Sequence, residues 1–202
     1  MTPATPTAEF VDVLTQAAST FQGQMSARPF ASEVVNALLQ AEKAAKQQKL
    51  VYPFASLLGK WQLCFATGTK KVRERGGIIL GKGFYVPKLV KIYISFDAKL
   101  KQASGKGEIG NQVELAGMLL KLTGPCQYLG KKNLLAFDFT QIQVGLFGRI
   151  IYKGQVRGGE AKAQDFYDQA IAKQPFFAFF LVTEDLIAAR GRGGGLALWI
   201  RS

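Results

Sequence analysis

The chain contains no histidine. No Ser-His-Asp or Cys-His couple can form, and no imidazole can ligate a metal. Its 14 acidic residues are scattered singly except for the neighbours Glu184 and Asp185. Adjacent residues on a strand point to opposite faces, so these two are a poor acid and base pair. Two cysteines, Cys64 and Cys126, are too few for a disulfide framework and too far apart in sequence for a zinc motif. Both read as small buried residues. Gly81-x-Gly83 lacks the rest of a dinucleotide fingerprint, and no phosphate loop is present. The expectation is a protein that is not an enzyme and holds no cofactor or metal.

What remains is apolar and cationic chemistry. Residues 1–50 carry four basic and four acidic side chains, which leaves 22 and 10, the whole net charge of +12, for 51–202. Between Lys60 and Lys132 there are 14 basic residues against 4 acidic ones. Such a field attracts an anionic membrane surface, where each Lys or Arg contributes about 1 kcal/mol, or nucleic acid. The loop bearing Lys70, Lys71, Arg73 and Arg75 is the candidate docking segment. Arg190-Gly191-Arg192-Gly193-Gly194 resembles an RNA-binding tail, but it is a single copy between strand-like runs. It reads as a hairpin turn, and no nucleic-acid partner is expected.

The elements that would position these groups change character near residue 50. Thr5-Pro6 can open a helix, after which Phe10, Val11, Leu14, Ala18 and Phe21 recur at helical spacing. Gly23 to Pro29 interrupts it. A second amphipathic stretch carries Phe30, Val34, Val35, Leu38, Leu39 and Glu42 and ends in lysines, the polarity that the helix dipole favours. These two helices, 1–50, are expected to pack on the remainder, 51–202; binding a protein partner is the alternative.

From Trp61 the period becomes 2. Val90, Ile92, Ile94 and Phe96 share one face, as do Met118, Leu120 and Leu122; Leu135, Phe137 and Phe139; and Ile150 and Tyr152. Glycine-rich turns separate the runs, and the last strands are expected at 176–183, 186–190 and 195–201. Glu160 to Lys173 can form a short helix. Phe176, Phe177, Phe179 and Phe180 occupy both faces of one strand, so it must be covered outside as well as inside. Many short strands with regular turns form a sandwich or a barrel. The two ends favour a barrel: Gly59-Lys60-Trp61 supplies an indole plug, and a late arginine, Arg190 or Arg192, can cover it by cation-π contact. Lipocalins use this device.

The longest apolar run, Phe176 to Val182, is far short of the roughly 20 residues that cross a bilayer. No secretory or transit segment is visible in the first ten residues, and the expected location is cytoplasmic.

The opening Leu58-Gly59-Lys60-Trp61-Gln62-Leu63-Cys64-Phe65, the middle Leu122-Thr123-Gly124-Pro125 and Ala136-Phe137-Asp138-Phe139, and the ending Thr183-Glu184-Asp185-Leu186-Ile187-Ala188-Ala189-Arg190-Gly191-Arg192-Gly193-Gly194 together resemble one family. It is that of the plastid lipid-associated proteins, or fibrillins. Cys64-Phe65 and Ala188-Ala189 depart from the plant pattern and suggest a cyanobacterial-type member. With the helical spacing of residues 1–50 the expected fold is mainly β, a lipocalin-like antiparallel barrel behind an N-terminal pair of α-helices; the barrel is what the resemblance, over roughly 50–202, implies. The resemblance further implies peripheral association with thylakoid membranes or lipid droplets, and a structural or photoprotective role.

An interior lined by Trp61, Leu63, Phe65, Ile92, Ile94, Phe96, Leu120, Phe137, Phe139 and Tyr152, with Arg190 at its end, suits a fatty acid, carotenoid or prenylquinone. The same side chains could instead fill a small barrel. A scaffold for prenyl-lipid enzymes and a bilin lyase with a similar barrel are the alternative functions.

Overall fold

The computed structural model describes residues 6–71, 78–98, 105–156, 159, 165–171 and 174–202. Two helices come first, α1 (Pro6–Phe21) and α2 (Ala31–Gln47). The Glu33 carboxylate accepts from the Phe30 backbone N–H at 2.6 Å, the side-chain half of a capping box, and fixes where α2 begins. Among the described residues thirteen strands follow: β1 (Gly59–Ala66), β2 (Thr69–Lys71), β3 (Ile78–Leu80), β4 (Phe84–Tyr85), β5 (Val90–Ala98), β6 (Lys106–Leu115) and β7 (Met118–Leu129). The remainder are β8 (Leu134–Phe137), β9 (Gln141–Leu146), β10 (Arg149–Gln155), β11 (Phe176–Val182), β12 (Leu186–Gly191) and β13 (Leu196–Arg201). The three closing strands fall within a residue or so of the positions their alternation marks. Of the expected helix at 160–173, a single 3-10 turn, Phe166–Asp168, is described; most of the rest lies outside the described residues.

The sheet closes on itself. Its order runs β7-β6-β5-β1-β13-β12-β11-β8, and β8 pairs back to β7, giving an eight-stranded antiparallel barrel with the two helices on its N-terminal side. Closure removes every free edge from this part of the sheet. β1 and β13 are neighbours, so the two ends of the strand region meet.

Two buried clusters lie on either side of the barrel wall. Inside, Trp61, Ile94, Phe96, Ile109, Phe137, Phe179, Ile187 and Trp199 pack together. Outside, Leu14, Val34, Leu38 and Ala41 of the helices cover Cys64, Phe65, Phe180, Ala188 and Leu198. Phe180 is thereby covered by the helices.

Bulges between Leu63 and Phe65 and between Phe179 and Leu181 enlarge this outer cluster. Each sets two consecutive apolar residues, Cys64-Phe65 and Phe180-Leu181, under the helices, which strict alternation forbids. Both cysteines are buried, and no disulfide joins them.

The barrel is complete at one end only. The chain continues from β8 into β9 along β7, but where β11 flanks β8, β10 flanks β9 instead. The strands β5-β6-β7-β9-β10 therefore run on past the closed part as a blade. Gly124 makes the passage possible: a Cβ there would lie 2.1 Å from the Asp138 carbonyl oxygen. Among the described residues, no helix is long and apolar enough to cross a membrane.

Candidate functional site

Inside the closed part, the lumen holds side chains. Phe137 stacks on Phe177 at 5.0 Å, Phe177 meets Trp199 edge-on at 5.6 Å, and Phe96 meets Phe179 at 5.9 Å. Rings at these separations leave an eight-stranded lumen packed like any protein interior. Among the described residues no buried side-chain nitrogen or oxygen lacks a partner, so the lumen presents no orphaned polar group toward which a ligand would be drawn.

The floor is sealed by Trp61. Its indole N–H donates to the Leu57 carbonyl at 2.8 Å, and a guanidinium lies 4.0 Å over its ring. That guanidinium belongs to Arg201, which faces Trp61 across the β1–β13 seam, and not to Arg190 or Arg192. Arg190 lies on β12 on the same face as Leu186 and Ala188, toward the outer wall, where Nε and Nη2 donate to both Glu42 carboxylate oxygens at 2.9 and 2.5 Å. Arg190 thus fastens α2 to the outer wall of the barrel, on the side away from the lumen. Neither Glu184 nor Asp185 supplies it with a carboxylate; Arg201 donates to the Glu184 backbone carbonyl, and the Arg201 N–H to that of Asp185. Arg192 donates to the Gln174 carbonyl.

The expected lining set divides three ways. Trp61, Ile94, Phe96 and Phe137 are buried in the lumen cluster, with Leu63 and Phe139 at its margin. Phe65 is on the other side of the wall, turned there by the β1 bulge. Ile92, Leu120 and Tyr152 are on the blade.

The registers fix which blade residues share a face. Phe96 opposes Ile109 inside the barrel, so four residues back Ile92 opposes Val113, which opposes Leu120, which opposes Val144, which opposes Tyr152. Val90, Leu115, Met118, Leu122, Ile142 and Leu146 lie on the same face in the rows to either side. The face that continues the lumen is therefore largely apolar, with Asn111 and, at the tip, Arg149 as exceptions. It is also open: Leu120 is 40% exposed, and Tyr152 55%. The opposite face carries Lys91, Gln112, Glu114, Lys121, Gln141, Gln143 and Lys153. A bulge between Ile150 and Tyr152 sends Ile150 to that second face, so the two do not share one as simple alternation expects.

Two-residue turns end the blade's hairpins, Ala116-Gly117 and Phe147-Gly148, with positive φ at all four positions. The Phe147 N–H donates to the Gly117 carbonyl at 2.7 Å, and its ring occupies the space above Gly117, tying the two tips together. Beside them a cleft of about 410 Å³ is lined by Leu89, Lys91, Glu114, Leu115, Met118 and Leu119. β1 runs toward this same end of the barrel, so β2 and β3 leave from it, their base closed by the Gly81 N–H on the Gly68 carbonyl at 2.7 Å. Lys70 and Lys71 are on β2. Arg73 and Arg75 lie outside the described residues.

Sequence reasoning missed several structural residues. Asn133, at φ 49, donates to the Leu50 carbonyl at 2.7 Å and accepts from the Tyr52 N–H at 2.9 Å, pinning the linker between α2 and the barrel. Tyr128 adds a hydrogen bond to the Tyr52 carbonyl at 2.9 Å, and burial raises its phenol well above the ordinary range. An Asn closing a Gly-Lys-Lys turn was the available signal, since Asn tolerates the left-handed region. Among the described residues no group of three or more His, Cys, Asp or Glu could hold a metal.

No protein-family model, curated protein or solved structure matches this chain, so the resemblance to the plastid lipid-associated proteins rests on the residues that carry it.

Proposed function

We propose that the protein is a non-enzymatic binder of apolar small molecules, a fatty acid, carotenoid or prenylquinone, held against the lumen-side face of the blade. The observation that carries this reading is the segregation of that face: aliphatic side chains in register across four strands, continued by Tyr152 on the fifth, yet open to water. A monomeric protein rarely exposes so continuous an apolar surface without using it. The closed lumen is already occupied by rings and serves as the rigid base from which the blade projects.

Magnitude sets the mode of binding. An apolar chain covering about 300 Å² of the face gains about 7 kcal/mol, against at least about 4 kcal/mol of association cost. The surplus is small, so the ligand is best taken from a phase that already concentrates it. This agrees with a peripheral position on a thylakoid membrane or lipid droplet, and with a structural or photoprotective role rather than a soluble carrier's. The apolar faces of α1 and α2 are spent on the barrel wall, which weighs against a scaffold that recruits enzymes through them.

The test is titration of a fluorescent fatty acid or a prenylquinone with the wild type and with Leu120→Asp and Val144→Asp. Saturable binding that the two variants reduce by about tenfold or more is expected. The reading fails if the wild type binds neither probe, or if both variants bind like the wild type while melting at the same temperature.

A further inference from the structure

We infer that the paired hairpin tips of the blade are the surface by which this protein docks on an anionic lipid layer, with Phe147 as the inserted anchor. The inference extends the reading above from an apolar molecule to the layer that supplies it, and rests on that reading for the ligand's source.

Phe147 is the sharpest local inconsistency in the fold. It holds the first central position of a two-residue turn at φ 47, followed by Gly148 at φ 80. Asn, Asp or Gly adopts that conformation readily, and an aromatic residue there is an outlier. Its ring touches Gly117 of the neighbouring tip but is still 79% exposed, so packing offsets little of the backbone strain. A strained, exposed aromatic at a tip is a candidate for function rather than folding. It is not alone: Leu89 is 83% exposed, and Leu115 and Met118 flank the neighbouring tip.

Charge selects the occupant. Lys88 and Lys91 bracket Leu89, and Arg149 and Lys153 follow the Phe147 tip, all of them exposed, while Glu114 is the one acidic residue of these segments. An apolar point flanked by exposed cations matches the boundary between acyl chains and anionic headgroups. A second copy of the same end would bring like charges together. A nucleic acid would satisfy the cations but leave the aliphatic tips in water. Insertion also places the blade's apolar face at the depth where apolar molecules reside.

The experiment is co-sedimentation with phosphatidylcholine vesicles with and without phosphatidylglycerol, using the wild type, Phe147→Asn and Arg149→Glu. Binding should require phosphatidylglycerol and weaken with salt. Phe147→Asn should lower vesicle affinity about tenfold or more while melting at or above the wild-type temperature, because Asn suits the turn. A dye on Phe147→Cys should shift to the blue on vesicles, whereas one on Lys131→Cys, at the far end of the barrel, should not. Vesicle binding unchanged in Phe147→Asn, no dependence on anionic lipid, no wild-type binding, or equal competition by RNA would each overturn the inference. Fatty-acid titration of the same variants in vesicle-free buffer separates the two readings: retained fatty-acid binding with no docking defect in Phe147→Asn refutes the tip alone. Loss of fatty-acid binding in the wild type refutes the blade reading whatever the vesicles do.

Discussion

Arg201 lies 4.0 Å over the indole of Trp61, and the two residues face each other across the seam that closes the barrel. Gly59, at φ 112, makes room for this contact, since a Cβ there would lie 3.2 Å from the Arg201 Nη1. The Gly-x-Trp spacing thus has a physical reason: the glycine admits the guanidinium that covers the indole two residues later. Trp61 is fully buried, so the contact closes the floor of the core. Arg201→Ala should cost about 1–2 kcal/mol and lower the melting temperature by about 2–8 °C. Arg201→Lys should recover less than half of this, because an ammonium lacks the planar stack. Thermal denaturation followed by tryptophan fluorescence checks both, and full recovery by lysine would remove the stacking argument.

Glu42 and Arg190 provide the second fastening, between α2 and the outer wall. The Glu42 side chain is only 13% exposed, and both of its oxygens accept from Arg190. The Arg190 hydrogen bond, against an opposing push from burial, holds the Glu42 carboxyl below its ordinary value. A depressed carboxyl contributes stability that is present above the unfolded value of about 4.3 and lost as pH falls through the folded one. Glu42→Gln should therefore cost about 1–3 kcal/mol at neutral pH, between the exposed and the buried limits for ion pairs. The gap between wild type and variant should narrow as pH drops below about 4. Urea denaturation at neutral and acidic pH measures it, and a gap independent of pH would mean that the pair contributes only shape.

Burial pushes the Cys64 thiol up to about 12. At pH 8 only about one molecule in ten thousand would carry the thiolate, the form that reacts. A thiol reagent should leave Cys64 unmodified in the folded protein and react with both cysteines after denaturation. The labelling rate should follow global unfolding. Faster labelling at Cys64 than at Cys126 would instead reveal that the helices lift from β1 while the barrel stays closed.

How far the chain could be read depended on which rule each element obeys. Helical spacing placed Phe10, Leu14 and Ala18 correctly because all three are buried under one roof. Alternation placed Trp61, Ile94, Phe96 and Phe137 in the lumen for a similar reason. It failed at Phe65, since one extra residue in β1 reverses every side chain after it, and a bulge leaves no mark in composition. The late arginine was foreseen as a kind of residue but not as Arg201, because Arg190, Arg192 and Arg201 differ only in register. Glu42 did carry a signal, a carboxylate within the apolar stripe of α2. The blade was hidden because strand count does not reveal where β8 hands its place on β7 to β9. Ile92, Leu120 and Tyr152 were thus grouped correctly with one another but placed inside a barrel that had already ended beneath them.

The hand-over itself depends on Gly124. The Asp138 N–H donates to the Pro125 carbonyl at 3.1 Å and the Thr140 N–H to the Thr123 carbonyl at 2.9 Å, so the chain hugs β7 on both sides of the glycine. A methyl group at 124 would collide with the Asp138 carbonyl oxygen, which is backbone and cannot swing aside as a side chain would. Gly124→Ala should cost about 1–3 kcal/mol. Its effect should be local first: amide protection at Asp138 and Thr140 should fall before that of β1, β12 and β13, whose pairing is far from the site. Because the blade is carried by this passage, apolar-probe binding should weaken even at temperatures where the barrel is fully folded. Hydrogen exchange and probe titration on the same variant decide the matter. Wild-type protection at Thr140 together with wild-type probe affinity would show that the wall tolerates the methyl group, and that the blade's position is set by the hairpins beyond it.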